Sequence, residues 1–191
     1  MKRFAFVLSL LLLGGVFRPV AAQELLTNGD FEQALDVGWQ DTVVLLAGTF
    51  SFERCDTMGA TGCGARVVKG LASFAALTQQ VNVPGANLVL NFDGRFRIGG
   101  GSSTCWPVAA LIVRYQSSAG RELGNTKFVL HNEYCTWGNS DTAHLIEIAA
   151  PGEWHPHQLD IAQELNDYLP GVSPADVAQL RVEIYAYDNG T

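Results

Sequence analysis

The chain has 191 residues and a formal charge of -7, from 12 Lys and Arg against 19 Asp and Glu. An acidic balance of this kind opposes binding to nucleic acid or to an anionic membrane surface, and both partner classes are set aside. The length suits one domain with a real core and falls short of two comfortable ones.

Lys2 and Arg3 precede an apolar run, and Val20-Ala21-Ala22 places small residues at a cleavage position, so residues 1-22 read as a secretory signal peptide. The run from Phe4 to Phe17 is shorter than the ~20 residues that a membrane span needs, so no membrane insertion is expected. The mature chain is taken as residues 23-191, a single domain. It loses the cations Lys2, Arg3 and Arg18 with the leader and is more acidic still. Its expected place is outside the cell, in a periplasm or at the cell surface.

The mature chain opens on Glu24 to Trp39, which reads as a short strand, a turn and an anchoring tryptophan. Leu25 and Leu26 begin an apolar edge, Asn28-Gly29 is a turn dipeptide that adopts positive φ cheaply, and Phe31 and Trp39 are large surfaces for a small β domain to bury. The pattern Leu25-Leu-Thr-Asn-Gly-Asp-Phe-Glu32, then Gly38-Trp39, resembles the start of the carbohydrate-binding modules of families four, nine and twenty-two. That resemblance implies a galactose-binding-like jelly-roll β-sandwich without catalytic activity, with a polysaccharide or other glycan as partner, often as part of a larger extracellular polypeptide. Such modules commonly hold a structural calcium between the opening segment and an aspartate of a closing strand, and the resemblance assigns a ligand role to Glu32. The closing strand of the family, often carrying Asp-Asn-Val, has no counterpart after Asp188-Asn-Gly-Thr191. The expectation is therefore a domain lacking that strand and half of the calcium site.

Further along, Thr42 to Ala47, Phe50 to Phe52 and Ala65 to Val68 are short runs punctuated by glycine, which argues for all-β architecture. Leu77, Gln79, Val81 and Val83 share one face of the next strand. Leu88 to Ile98 is predicted as one long strand, with Leu88, Leu90, Phe92, Phe96 and Ile98 on the core side and Asn91, Asp93, Arg95 and Arg97 on the wet side. The loop Gly99 to Thr104 lacks the lysine and the strand-to-helix context of a phosphate cradle. Val108 to Tyr115 and Lys127 to His131 are expected as a hairpin, Leu145 to Ile148 and Trp154 to Ile161 as further strands. Residues 160-169 form the one short helix, with Asp160 as N-cap and Pro170-Gly171 as the stop. Leu180 to Tyr187 alternates cleanly, with Leu180, Val182, Ile184 and Ala186 inward and Arg181, Glu183, Tyr185 and Tyr187 outward.

Four cysteines in an exported chain are expected in bridges, and four allow three connectivities. Local pairing is preferred: Cys55 with Cys63 across a glycine-rich loop, and Cys105 with Cys135 at one end of the hairpin. A metal site is the rival, but no Cys-x-x-Cys is present. His155 and His157 share a strand face at a spacing that could hold zinc, without a third ligand being indicated. Ser-His-Asp chemistry lacks its Gly-x-Ser-x-Gly elbow, and no carboxylate pair stands out for glycoside hydrolysis.

The reading is a secreted, non-catalytic carbohydrate-binding module. A structural or adhesive extracellular module that binds protein is the alternative, and a glycoside-acting hydrolase is a third. The ligand face is expected to combine Asn91, Asp93, Arg95 and Arg97 with Glu183, Tyr185 and Tyr187, with Trp106 at the rim. Trp39 and Trp154 are expected in the core, while Trp106, Tyr134 and Trp137 either face a sugar or cover a disulfide.

Overall fold

A computed structural model describes residues 24-55, 62-101 and 106-190. The fold is an all-β sandwich of jelly-roll form with ten strands and one α-helix among the described residues: β1 Gln40–Leu45, β2 Thr49–Cys55, β3 Gly64–Gly70, β4 Ser73–Asn82, β5 Val89–Gly94, β6 Val108–Gln116, β7 Glu122–His131, β8 Ala143–Glu147, β9 His155–Asp160, α1 Ile161–Tyr168 and β10 Gln179–Asp188. Six strands form one sheet in the order β1-β4-β10-β6-β7-β8, antiparallel except for the β7–β8 edge. Two antiparallel ribbons, β2–β3 and β5–β9, make the second layer. No helix of the described residues is long and apolar enough to cross a membrane.

Period-two alternation decides which face of the large sheet is covered. The inner face carries Leu77 from β4, Val113 and Tyr115 from β6, Phe128 from β7, and Leu180 and Val182 from β10, all buried. The β5–β9 ribbon and α1 cover one half through Phe92, Leu159, Ile161 and Leu165. The β2–β3 ribbon and the opening segment cover the other half through Phe52, Val67 and Trp39. The predicted inward set of β10 is thus the core set, and β10 itself lies inside the sheet, between β4 and β6.

Helix α1 begins where the sequence predicts. Asp160 caps it, its Oδ1 accepting from the Gln163 N–H at 3.0 Å. The helix is tied to the sheet by a buried polar chain: Tyr115 O–H donates to Thr126 Oγ1 at 2.8 Å, Thr126 donates to Glu164 Oε1 at 2.7 Å, and His144 Nδ1 meets the same oxygen at 2.6 Å. His144 also stacks on Tyr168, 4.2 Å between centroids. Burial raises the Tyr115 pKa, so its phenol remains a donor to this chain.

Two local expectations give way to packing. Leu25 and Leu26 lie outside any strand, ahead of the turn over Thr27 to Asp30, and within the Asn28-Gly29 dipeptide it is Asn28 that takes the positive φ, as Phe31 does after it. Asn28 is the reason, since its Oδ1 accepts from Gln33 N at 2.9 Å and its Nδ2 donates to the Ala34 carbonyl at 3.0 Å, closing the loop locally. Gly38, at φ +85°, lies so close to Thr27 that a Cβ there would meet the Thr27 Cβ at 2.8 Å, which explains the Gly-Trp pair. The long strand predicted over Leu88 to Ile98 ends at Gly94, where a Cβ would press on Phe96 and Phe92, and Arg95 to Ile98 continue outside any strand.

Candidate functional site

The outer face of the large sheet is not roofed by either ribbon. Registered pairing sets its residues in rows across the strands. One row runs Asn125, Arg114, Arg181, Gln80, the next Lys127, Ile112, Glu183, Thr78. A third places Ala110 and Ala76 on either side of Tyr185, and a fourth runs His131, Val108, Tyr187, Phe74.

The apolar part of this face is an aromatic line. Phe74 and Tyr185 stack at 5.3 Å, and Tyr185 meets Trp137 at 5.9 Å. Trp106 lies on Tyr187 at 4.8 Å, and both rest on Val108, Ala110, Ile112 and Val129 with Cys135 and Trp137. The two alanines beside Tyr185 leave width for the ring to lie across the sheet. Burial first, then Tyr187 and Glu183, raise the Tyr185 pKa, so the phenol is a fixed O–H donor at physiological pH.

The polar part is an ionic row. Glu183 Oε1 accepts from Arg114 Nε at 2.9 Å and forms an ion pair with Arg181, whose Nε lies 2.8 Å away, while its Oε2 accepts from Arg114 Nη2 at 3.0 Å. Arg114 reaches on to Glu122 with Nη1, 2.9 and 3.2 Å from the two oxygens. Burial works against the Arg114 charge, and the glutamates outweigh it. Glu183 is only 3% exposed, so it is a buried floor beneath two arginines rather than a solvated outward residue.

Of the predicted ligand residues, the structure brings Glu183, Tyr185, Tyr187 and Trp106 together. It separates Asn91, Asp93, Arg95 and Arg97 from them. Asn91 and Asp93 lie on β5, which pairs with β9 in the other layer, where they border an open cleft of about 470 Å³. Arg95 covers Trp154, 5.1 Å from its ring centroid, and Arg97 donates to the Gly152 carbonyl at 3.3 Å. The expected single surface from both strands is thereby corrected: strict alternation fixes which residues share a face of a strand but does not choose that strand's neighbour. Trp39 is in the core, with its Nε1 donating to the Asn28 carbonyl at 3.1 Å. Trp154 is half-buried under its arginine, Trp137 joins the aromatic line, and Tyr134 is exposed, beside a second cleft of about 480 Å³.

Arg114, Lys127 and Phe74 were not on the predicted face. A lone charge inside the apolar run Val108 to Tyr115 was the available signal for Arg114, since a charge in such a strand needs a partner. Phe74 was one residue off the alternation assigned to its strand. Lys127 was hidden because the returning strand was read from its apolar residues.

His157 is held among Phe92, Phe96 and Phe128, at 4.8, 5.9 and 5.4 Å. Burial lowers its pKa, and His155 adds to that against the opposite pull of Asp93. The described residues contain no group of three or more His, Cys, Asp and Glu side chains able to hold a metal ion. At Glu32 the fit to calcium is poor: the Arg54 guanidinium already occupies the Phe31 and Glu32 carbonyls, at 2.6 and 2.9 Å, so a cation is already bound to the oxygens next to this carboxylate. No disulfide joins described residues: Cys135, whose pKa burial raises, is bridged to none of them, and the expected partners, Cys105 and the Cys55 side chain, lie outside the described residues. The backbone does bring Cys55 opposite Gly64, next to Cys63.

No family model matches the chain, and no curated protein matches it. Among solved structures, it is similar to a family 11 carbohydrate-binding module from Clostridium thermocellum in complex with a beta-1,3-1,4-mixed-linked tetrasaccharide, at 13% identity and a TM-score of 0.41, covering 84% of this chain and 89% of that one. A family 11 module of a cellulosomal cellulase of the same organism is similar at 11% identity and a TM-score of 0.38, covering 88% and 92%.

Proposed function

We propose that this protein is an exported, non-catalytic carbohydrate-binding module that takes its glycan on the outer face of the six-stranded sheet. The observation that carries the reading is the aromatic line Phe74–Tyr185–Trp137 lying beside the row Arg181–Glu183–Arg114–Glu122. A sugar presents C–H surfaces that pack on aromatic faces and hydroxyls that pair with planar polar groups, and this face offers both within a few ångströms on rigid strands. The opening motif supports the family and serves the fold: Asn28, Trp39 and Arg54 fix its loop, and none of them reaches the aromatic line. The finer resemblance, to families four, nine and twenty-two, belongs to this proposal, as do removal of residues 1-22 and residence outside the cytoplasm.

A glycan array with the mature chain tests the reading. Tyr185→Ala is expected to lose ~1-3 kcal/mol of glycan affinity, by analogy with aromatic anchors at other recognition sites. A parent chain that binds no glycan on the array, or a Tyr185→Ala chain that binds as well as the parent, refutes it.

A second reading, as a protein-binding extracellular module, is favoured by one observation. Val44, Leu45, Leu46, Phe50, Val68 and Leu71 are all exposed large apolar residues of β1, of the β2–β3 ribbon and of the turns beside them, Leu46 at 80%. Exposed apolar patches of this kind mark interaction surfaces. Retention of a protein partner after charge substitution at Leu46 would speak against it.

A further inference from the structure

Among the described residues of the outer face, the cations are matched with one exception. Arg114 has Glu183 and Glu122, Arg181 has Glu183, and His131 Nε2 lies 3.0 Å from Glu147 Oε1. Lys127, in the middle of β7, has no hydrogen-bond or ion-pair partner among the described residues. It is half-buried, and its Nζ lies 5.1 Å from the centroid of the Trp137 ring. Through Trp137 it stands one aromatic ring away from Tyr185.

A half-buried ammonium held over an indole has given up part of its hydration, and the ring quadrupole replaces only part of that loss. Burial accordingly pulls the Lys127 pKa down and Arg114 adds to the effect, against a smaller opposite pull from Glu122 and Cys135, neither of which pairs with the ammonium directly. An anion brought to this position recovers what the lysine lacks, and a neutral hydroxyl recovers less. A ligand lying along Phe74, Tyr185 and Trp137 reaches the ammonium at the Trp137 end.

Resting on the glycan reading of this face, we infer that the ligand is an acidic polysaccharide, whose anionic substituent, a uronate carboxylate or a sulfate ester, pairs with Lys127 at the end of the aromatic line. The overall charge of -7 makes the inference sharper, because a chain this acidic has no general attraction for polyanions and any binding to one must be local.

The test is affinity electrophoresis and calorimetry of the full mature chain with alginate, polygalacturonate, dextran sulfate, carboxyl-reduced alginate and a neutral mixed-linkage glucan. The expected result is tighter binding of an acidic polymer than of the neutral ones, weakening with salt, and a loss of about ten- to a hundredfold in Lys127→Gln for that polymer alone. Lys127→Arg is expected to retain most of the affinity. The uronates and dextran sulfate separate carboxylate from sulfate. Lys127→Gln has no salt bridge to lose, and an unchanged urea midpoint verifies its fold. Binding of no acidic polymer, dextran sulfate included, more tightly than the neutral ones, or an acidic preference that survives in Lys127→Gln, overturns the role of Lys127 and leaves the glycan reading standing. Binding to none of the polymers overturns the acidic-ligand inference, and the absence of any ligand on the glycan array as well overturns both.

Discussion

The ionic row predicts a large stability cost for a small chemical change. Glu183→Gln keeps shape and volume but replaces one carboxylate oxygen by an amide that donates toward a guanidinium, which itself only donates. Two charge-assisted bonds from Arg114 and an ion pair with Arg181 are at stake. Breaking a fully buried ion pair costs ~3-5 kcal/mol, but here only the carboxylate is enclosed: the Glu183 side chain is 4% exposed, against 26% for Arg114 and 35% for Arg181. Arg114 also keeps Glu122, so the expected loss is at the lower end, ~2-3 kcal/mol, or about 4-12 °C in melting temperature for a domain of this size. Urea denaturation measures it, with the midpoint shifting at constant slope. The double variant Arg114→Met with Glu183→Leu should recover part of the loss, because the buried carboxylate and its main partner leave together and the charges left behind, Arg181 and Glu122, are the more exposed ones. A Glu183→Gln chain within about 0.5 kcal/mol of the parent, near the scatter of ordinary surface substitutions, would show that the carboxylate is hydrated in solution and that the row is not a fixed floor for a ligand.

Three further outcomes follow from the same geometry. Because the folded-state pKa of His157 is lowered, its contribution to stability is complete above the unfolded value, about 6.5, and is lost as pH falls below it toward the folded value. His157→Phe, which suits the three surrounding rings, should flatten the pH dependence of the urea midpoint between about pH 6.5 and 5, and an unchanged slope would place the imidazole in water. Non-reducing peptide mapping of the oxidised chain is expected to link Cys55 to Cys63 and Cys105 to Cys135, each bridge stabilising by ~2-4 kcal/mol, and free thiols at those positions or a cross-linked pattern would reject the pairing. With Arg54 already seated on the Phe31 and Glu32 carbonyls, a chelator should leave the melting temperature unchanged, and a fall reversed by calcium would restore the metal to Glu32.

What was legible in the sequence was what is decided locally. The Asp160 cap, the helix it opens and the two faces of β10 depend on residues within a few positions of one another, and polarity differs sharply between Leu180, Val182 and Ile184 and the intervening Arg181, Glu183 and Tyr185. β5 alternates as clearly, yet its neighbour is β9, some 60 residues on, and nothing in Asn91 or Asp93 records that choice. The same limit hid half of the site. Phe74, Arg114 and Lys127 lie on three strands that meet only through register, so their convergence is a property of pairing rather than of any motif.

The opening motif and the aromatic face divide the labour of the fold, and the division bears on where function lies. The residues that carry the family resemblance are spent on packing: Gln79 brackets the Thr27 backbone at 2.6 and 2.9 Å, Phe31 stacks on Trp39 at 5.3 Å, and Arg54 fastens the loop from β2. They hold one half of the inner face closed. With the β5–β9 ribbon and α1 closing the other half, the apolar demand of the inner face is met, and the outer face keeps a smaller buried cluster of its own, Val108, Ala110, Ile112 and Val129, under the aromatic side chains. Three partly exposed aromatic rings and a buried glutamate under two arginines are a costly way to finish a solvated surface, since plain polar residues would serve solubility better. Tyr185 sits between Ala110 and Ala76 at the centre of that face, on the strand most enclosed by neighbours, where its backbone is held from both sides. An anchor placed there loses little conformational freedom on binding, which is the condition under which an open, shallow platform can hold a ligand at all.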